Sequence, residues 1–394
     1  MGKRQIDKTS ASYKKYKRRK ILFSLEVVLL IILCIAAFFY IQVQKKLNSI
    51  QMETLDSEIM EFNEAVETDQ VIKGYTNIAL FGADTRENDL TRTNTDTIII
   101  ASINNDTKVV KLVSVYRDTY LYIGGDLWRK ANAAYANGGP EWALNMLNTN
   151  FDLDIKSYVT VDFNALVEVI DLLGGLEITV DKDECEHLNN YCVETSEVTG
   201  KSYERLPGAG TYEMNGVQAV AYTRIRYTAG NDFKRTQRQR EVIAKIVAKA
   251  KTASISTLNK ILDTVFPMVK TNLTKSEILS MGMNMLSYEL GETTGFPFTH
   301  KTTQDGESNE IPITLESNVD QLHTFLFGDE DYTPSQTVKE RSQETIERTG
   351  YDENTSYSDE NFTLSGDEVE ENDDEKKKEI ESQEEQSEEE DYGY

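Results

Sequence analysis

Histidine, cysteine and positive charge are scarce in this chain, and each shortage removes a class of function. Its 394 residues include three histidines, none near the arginine-rich stretch from Asn215 to Arg240, which argues against imidazole-based catalysis. Of the three cysteines, Cys34 falls in an apolar run, leaving Cys185 and Cys192. These two could close a small disulfide loop or remain thiols, since spacing alone does not show the geometry a disulfide needs. With His187 they make a weak metal set on a polar stretch. The formal net charge is −25. The basic N-terminus is confined to residues 1–20 and no helix-turn-helix pattern follows it, so nucleic acid is not an expected partner.

The ends carry strong signals. Residues 1–20 hold nine Lys or Arg against one Asp, and Ile21 to Val43 is an apolar run with a single ionisable group, Glu26. A helix of that length crosses a hydrocarbon core of about 30 Å. Lys17 to Lys20 immediately before it predict a cytoplasmic N-terminus and an exported remainder. No small-residue cleavage site follows, so the run reads as a retained signal anchor. Residues 44–74 read as a helical stalk or linker and residues 75–328 as the globular domain. From Asp329 to the C-terminus, 25 acids against six bases predict a disordered acidic tail.

Within the domain, Asn77 to Phe81, Thr97 to Asn104, Val109 to Tyr116, Tyr158 to Phe163 and Leu176 to Val180 read as strands, with Asn105-Asp106 turning a hairpin. Helices are expected after Pro140, over Asn164 to Leu173 before Gly174-Gly175, and over Ser254 to Val265 and Lys275 to Tyr288. Ile311 to Leu315 reads as a last strand. The polar stretch Asp181 to Pro207 reads as an insertion or lid. Alternating strands and helices predict an α/β fold, a mixed central β-sheet flanked by helices.

Against this acidic background Asn215 to Arg240 carries six cationic side chains and one acid, Asp232. Val220 to Tyr227 reads as a strand, which would place Arg224 and Arg226 on one face. Asp232 then caps a helix on which Arg235, Arg238 and Gln239 share a side. Cations at a helix N-terminus oppose its dipole, and a bound anion would reverse that penalty, so the segment suits a di- or polyphosphate. A salt-bridged, solvated helix face is the plainer alternative. Asp84 and Asp96 lie beside strands, and converging carboxylates could hold a hard cation such as Mg²⁺, although each alone would serve as a turn cap. Arg117-Asp118 adds a fork and a carboxylate at a strand end, where α/β sheets bind ligands.

Val113 to Thr119, Lys130 to Gly139, Asp171 to Gly175, Tyr222 to Arg226, Asp232 to Arg235 and Arg238-Gln239 occur in an order that resembles the LytR-CpsA-Psr family of membrane-anchored glycopolymer transferases of the Gram-positive envelope. The resemblance covers about residues 75–250. It implies transfer of a polymer such as teichoic acid or capsular polysaccharide from polyprenyl pyrophosphate to peptidoglycan, at the muramic acid C6-OH. It makes Asp84 and Asp96 the ligands of Mg²⁺ or Mn²⁺, and Arg117, Arg224, Arg226, Arg235, Arg238 and Gln239 the pyrophosphate clamp. Asp118 becomes a candidate base. Two departures stand out: Tyr116 replaces a common proline, and Asn94 stands where many members have arginine, a role that Arg86 or Arg92 would have to take. A pyrophosphatase using the same pocket, and a non-catalytic envelope protein binding wall polymer or a partner, are the competing readings.

Overall fold

The computed structural model describes residues 40–56, 58–83, 90–226, 231–303 and 308–357, together with Lys376, Lys378 and Ile380. The predicted basic tail and nearly all of the predicted membrane span lie outside these. Among the described residues no helix is long and apolar enough to cross a membrane. The chain divides into two compact units, Met1–Ser49 and Ile50–Tyr394. In the first, residues 40–47 are helical. The second holds the sheet and the candidate site residues.

Seven strands form its centre: β1 (Gln51–Met52), β2 (Tyr75–Ala83), β3 (Thr95–Asn104), β4 (Val109–Val115), β7 (Ser157–Asp162), β10 (Lys270–Thr271) and β11 (Glu289–Phe296). They make one mixed sheet in the order β1-β10-β7-β2-β3-β4-β11. Outside it β5 (Tyr120–Gly124) pairs with β6 (Leu127–Lys130), β8 (Leu176–Val180) with β9 (Gly210–Met214), and β12 (His300–Thr302) with β13 (Glu310–Pro312). The antiparallel β3–β4 pair is the hairpin expected from Asn105-Asp106, closed by Asn104 Oδ1, which accepts from the Asp106 and Thr107 amides. The run Ile98 to Ala101 is apolar without alternation because both faces of β3 are covered. Ile98 and Ile100 enter the larger core, while Ile99 and Ala101 enter a smaller one on the other face. The larger core is covered by helices α2 (Ala133–Phe151) and α9 (Leu315–Phe327), and the smaller one includes Ile243 of α6 (Asn231–Thr252). The helices expected near Ser254 and Lys275 form as α7 (Ile255–Val265) and α8 (Lys275–Met283). The result is the expected α/β layering.

A third core lies beside the sheet. It is built from α3 (Phe163–Leu172), β8, α4 (Lys182–Thr199), β9 and α5 (Gly216–Thr223). Two expectations are corrected there. The stretch read as an insertion or lid is mostly α4, started by a capping box between Asp181 and Glu184 and ended at Gly200, which adopts the left-handed conformation. Cys185 and Cys192 are both buried, free thiols on α4. Seven positions on a helix are about 10 Å, beyond the ~7 Å that a disulfide tolerates between Cα atoms. Val220 to Thr223 is not a strand but the end of α5, which opens with a capping box between Asn215 and Gln218. Every residue of α5 is buried, so it shows no amphipathic period. A Cβ at Gly216 would lie 2.4 Å from the Val167 carbonyl oxygen, so glycine is what lets α5 approach α3.

The limits of the domain also differ from expectation. The predicted stalk is part of the domain from Ile50 onward: β1 joins the sheet edge, Leu55 and Met60 pack on the larger core, and α1 (Glu64–Thr68) comes next. At the other end α10 (Gln336–Thr349) replaces the disorder expected from Asp329. The buried carboxylate of Asp152 fixes its approach, accepting from the Tyr332 hydroxyl at 2.6 Å and the Ser335 amide at 2.8 Å. The Arg341 guanidinium lies 3.5 Å from the centre of the Tyr122 ring. Composition marks this segment as polar, but a few anchors suffice to order it.

Candidate active site

The site forms where the ends of β3 and β4 meet the start of α6. Asp96, the second residue of β3, is its centre. Arg117 Nη1 donates to Asp96 Oδ1 at 3.0 Å, and Arg226 Nη2 and Arg235 Nη2 each donate to Oδ2 at 2.8 Å. Arg117 lies just past the end of β4, Arg226 lies between α5 and α6, and Arg235 belongs to α6. The side chains of Asp96 and Arg235 are 11% and 3% exposed, and that of Arg226 is 34% exposed. Burial alone would raise the Asp96 carboxyl, but Arg235, Arg117 and Arg226 outweigh it and hold the group below its ordinary value. Three guanidinium groups thus meet on one carboxylate in a largely buried cluster.

The Arg117 corner is fixed by its backbone. The Asn132 amide donates to the Arg117 carbonyl, the Ala131 amide to Thr119, and the Glu310 amide of β13 to Asp118, at 3.1, 2.8 and 2.9 Å. Segments on both sides therefore hold residues 117–119. The Asp118 carboxylate pairs with Lys130 Nζ at 3.0 Å and Arg117 Nε at 3.5 Å, so it steers Arg117 toward Asp96. Lys130 lies in the segment that carries the family resemblance, but its charge had no assigned role. Tyr116, standing where the family commonly has proline, is buried edge-on against Phe233 of α6 with ring centres 4.7 Å apart. Gly295 makes room for it, since a Cβ there would lie 2.0 Å from the Tyr116 hydroxyl.

The other sequence candidates divide. Arg224 does not join Arg226, because α5 ends at this residue and the chain turns. Its Nη2 donates to Glu194 Oε2 at 2.9 Å and its Nη1 to the Thr195 hydroxyl at 3.1 Å, with the guanidinium 4.9 Å from the Phe163 ring centre. Arg238 is equally committed. Its Nε and Nη2 donate to Glu184 Oε1 at 3.1 and 3.0 Å, and its Nη1 donates to the Ile225 carbonyl at 3.2 Å. Arg238 thus braces the turn that presents Arg226, and both it and Glu184 are 3% exposed at the side chain. Gln239 is buried, and its Oε1 has no hydrogen-bond partner among the described residues. Arg92 is exposed, as is Asn94. Asp84 and Arg86 lie outside the described residues, as does the Asp232 side chain. Glu184, Glu194 and Lys130 were not anticipated. Only Glu184 had a sequence signal, the Asp181-x-x-Glu184 capping box.

A divalent cation needs hard oxygen donors. Asp96 offers one ionised carboxylate, whose two oxygens already accept from three guanidinium groups. Among the described residues no group of three or more His, Cys, Asp or Glu gathers that could hold a metal ion. Asp84, beyond the end of β2, is the sequence candidate for a second acidic ligand.

Comparison with known proteins agrees with this arrangement at the level of family and fold. Biofilm regulatory protein A of Streptococcus mutans is 32% identical over 208 residues, 50% of this chain and 49% of that protein. Polyisoprenyl-teichoic acid–peptidoglycan teichoic acid transferase TagU of Bacillus licheniformis is 33% identical over 200 residues, 50% of this chain and 60% of that protein. TagV of Bacillus subtilis, of the same transferase name, is 27% identical over 247 residues, 61% of this chain and 60% of that protein. The chain thus spans about half to three fifths of the length of these relatives. The solved structure "TagT bound to LIIa-WTA" shares the fold, with a TM-score of 0.53 at 20% identity over 71% of this chain and 100% of that one. Protein gbs0355 from Streptococcus agalactiae has a TM-score of 0.52 at 25% identity over 68% of this chain and 93% of that one. The model of the LytR_cpsA_psr family matches residues 37–324, well over half of the sequence, and the chain therefore belongs to the LytR-CpsA-Psr family.

Proposed function

We propose that the protein is a membrane-anchored, extracellular phosphotransferase that moves a glycopolymer from polyprenyl pyrophosphate to a peptidoglycan hydroxyl, the muramic acid C6-OH. The observation that carries this reading is the convergence of Arg117, Arg226 and Arg235 on the single carboxylate of Asp96. Guanidinium forks converging at one point suit phosphate oxygens, and such a site calls for a ligand with anionic charge. A pyrophosphate diester carries it. The names of the TagU and TagV relatives support the substrate class.

In this reading Asp96, together with Asp84, would hold Mg²⁺ or Mn²⁺, which would neutralise charge on the phosphoryl oxygens when bound. Arg226 and Arg235 would exchange part of their hold on Asp96 for the donor's phosphate oxygens. Arg117, steered by Asp118 and Lys130, would stabilise charge developing on the phosphoryl group. The acceptor oxygen attacks the sugar-linked phosphorus, the bridging P–O bond breaks, and polyprenyl phosphate leaves with the electron pair. A loose transition state needs the hydroxyl proton removed only late. Asp118, at the strand-end corner beside Arg117, is the candidate to take it. Arg238 and Arg224 serve as braces, through Glu184 and Glu194.

The test is transfer from a synthetic polyprenyl-pyrophosphate donor to peptidoglycan, followed by mass spectrometry with and without acceptor. Arg226→Ala and Arg235→Ala are each expected to lower turnover on the order of 10²–10³-fold, as for loss of one donor to a transition-state oxyanion, with Arg224→Ala affected far less. Wild-type turnover in the Arg226→Ala, Arg235→Ala double variant would sink the clamp. Release of polymer phosphate at equal rates with and without acceptor would point to a pyrophosphatase.

A further inference from the structure

The acidic tail holds one basic island, Lys376-Lys377-Lys378, the only bases after Arg348. Among the described residues Lys376, the first of the island, returns to the domain. Lys376 Nζ lies 2.7 Å from Glu184 Oε2 and 3.5 Å from the Thr179 carbonyl, and 5.9 Å from the centre of the Tyr222 ring. Ile380 is 9% exposed. Both are helical, and a spacing of four puts them on one face, while Lys378 between them is exposed. The surface that Lys376 meets is formed by β8, α4 and α5.

We propose that the segment Lys376–Ile380 is an intramolecular ligand of this surface, with Glu184 as its receptor and Ile380 as its apolar anchor. The chemistry selects this part of the tail. Glu184 is buried and anionic, so it repels the acid-rich sequence on either side and accepts only the lysine island. Its other oxygen is the one that holds Arg238, and Arg238 braces the turn presenting Arg226. Docked Lys376 therefore shares Glu184 with the arginine that braces this turn. This docking is independent of the transfer reaction.

The test uses the full chain and a lysine-specific protease. Cleavage after Lys377 and Lys378 is followed by mass spectrometry, each rate being divided by that of a free peptide of the same sequence. Cleavage of a docked segment tracks its open population, so the Lys376→Gln, Ile380→Ser variant should be cut faster than wild type on the order of tenfold or more. High salt should raise the wild-type rate and leave the variant's nearly unchanged. Equal normalised rates in wild type and variant would overturn the proposal, as would a wild-type rate equal to that of its free peptide.

Discussion

Asp96→Asn separates two roles of one carboxylate, because it should weaken the fold while strengthening the grip of the pocket on anions. In the wild type three guanidinium groups donate to this carboxylate at 2.8–3.0 Å. Breaking a buried ion pair costs about 3–5 kcal/mol, but Arg226 is 34% exposed at its side chain and its share is screened. A net loss of ~3 kcal/mol is the working figure, against a total stability of about 5–15 kcal/mol for a domain. The variant should therefore fold, with its urea midpoint lower by about 1 M or more. The opposite effect comes from Coulomb's law. A phosphate held about 6 Å from the former carboxylate escapes a repulsion of ~0.7 kcal/mol at a dielectric of 80 and ~3 kcal/mol at 20. Inorganic pyrophosphate, without divalent cations, should bind about 3- to 100-fold more tightly. Urea unfolding measured with and without pyrophosphate reads both effects in one series. An unchanged midpoint without pyrophosphate, or no greater rise with it than in wild type, would refute the reasoning.

The same carboxylate gives a pH signature. A carboxyl whose folded-state value is depressed contributes stability above its unfolded value, about 3.9, and loses it as the pH falls through the lower folded value. Wild type should thus show a steep acid limb below about pH 4 that is shallower in Asp96→Asn, as read from urea midpoints across that range. Cys192 is buried and its thiol is pushed up to about 12, first by burial and then by Cys185. Alkylation with iodoacetamide should be slow in the native state, unaffected by prior reduction, and fast on unfolding; a thiol count that rises after reduction would revive the disulfide. Finally, ending the chain at Tyr357 removes Lys376 from Glu184 and should lower thermal stability modestly, by about 1–2 kcal/mol. Ending it at Phe327 removes Tyr332 and Ser335 from the buried Asp152 and should cost about 3 kcal/mol or more, seen as a lower melting temperature.

What the sequence revealed and what it hid depend on where each signal resides. The β3–β4 hairpin was legible because Thr97 to Asn104 and Val109 to Val115 are β-branched runs around a short polar turn, all of it local. Helix α5 was not, because complete burial erases the polar face on which helical periodicity depends. Val, Tyr and Thr then read as strand, and the true signal sat outside the apolar run, in the pairing of Asn215 with Gln218. The capping box of α4 was equally visible, and equally overshadowed by the polar character of the helix it starts. These two boundaries decide the site. Because α5 ends at Arg224, Arg224 and Arg226 part, one toward Glu194 and the other toward Asp96. Because α4 begins at Lys182, Glu184 is positioned to take Arg238, a partner 54 residues away. The arginine types were readable as a demand for an anion. Which of them face it was not, since Asp96 meets Arg117, Arg226 and Arg235 across 21, 130 and 139 positions. Spacing within one stretch carries no information about a competing acid elsewhere. An arginine cluster read from sequence therefore gives an upper bound on the clamp, and the acids that the fold brings to it, here buried Glu184 and half-exposed Glu194, determine how many arginines remain for the ligand.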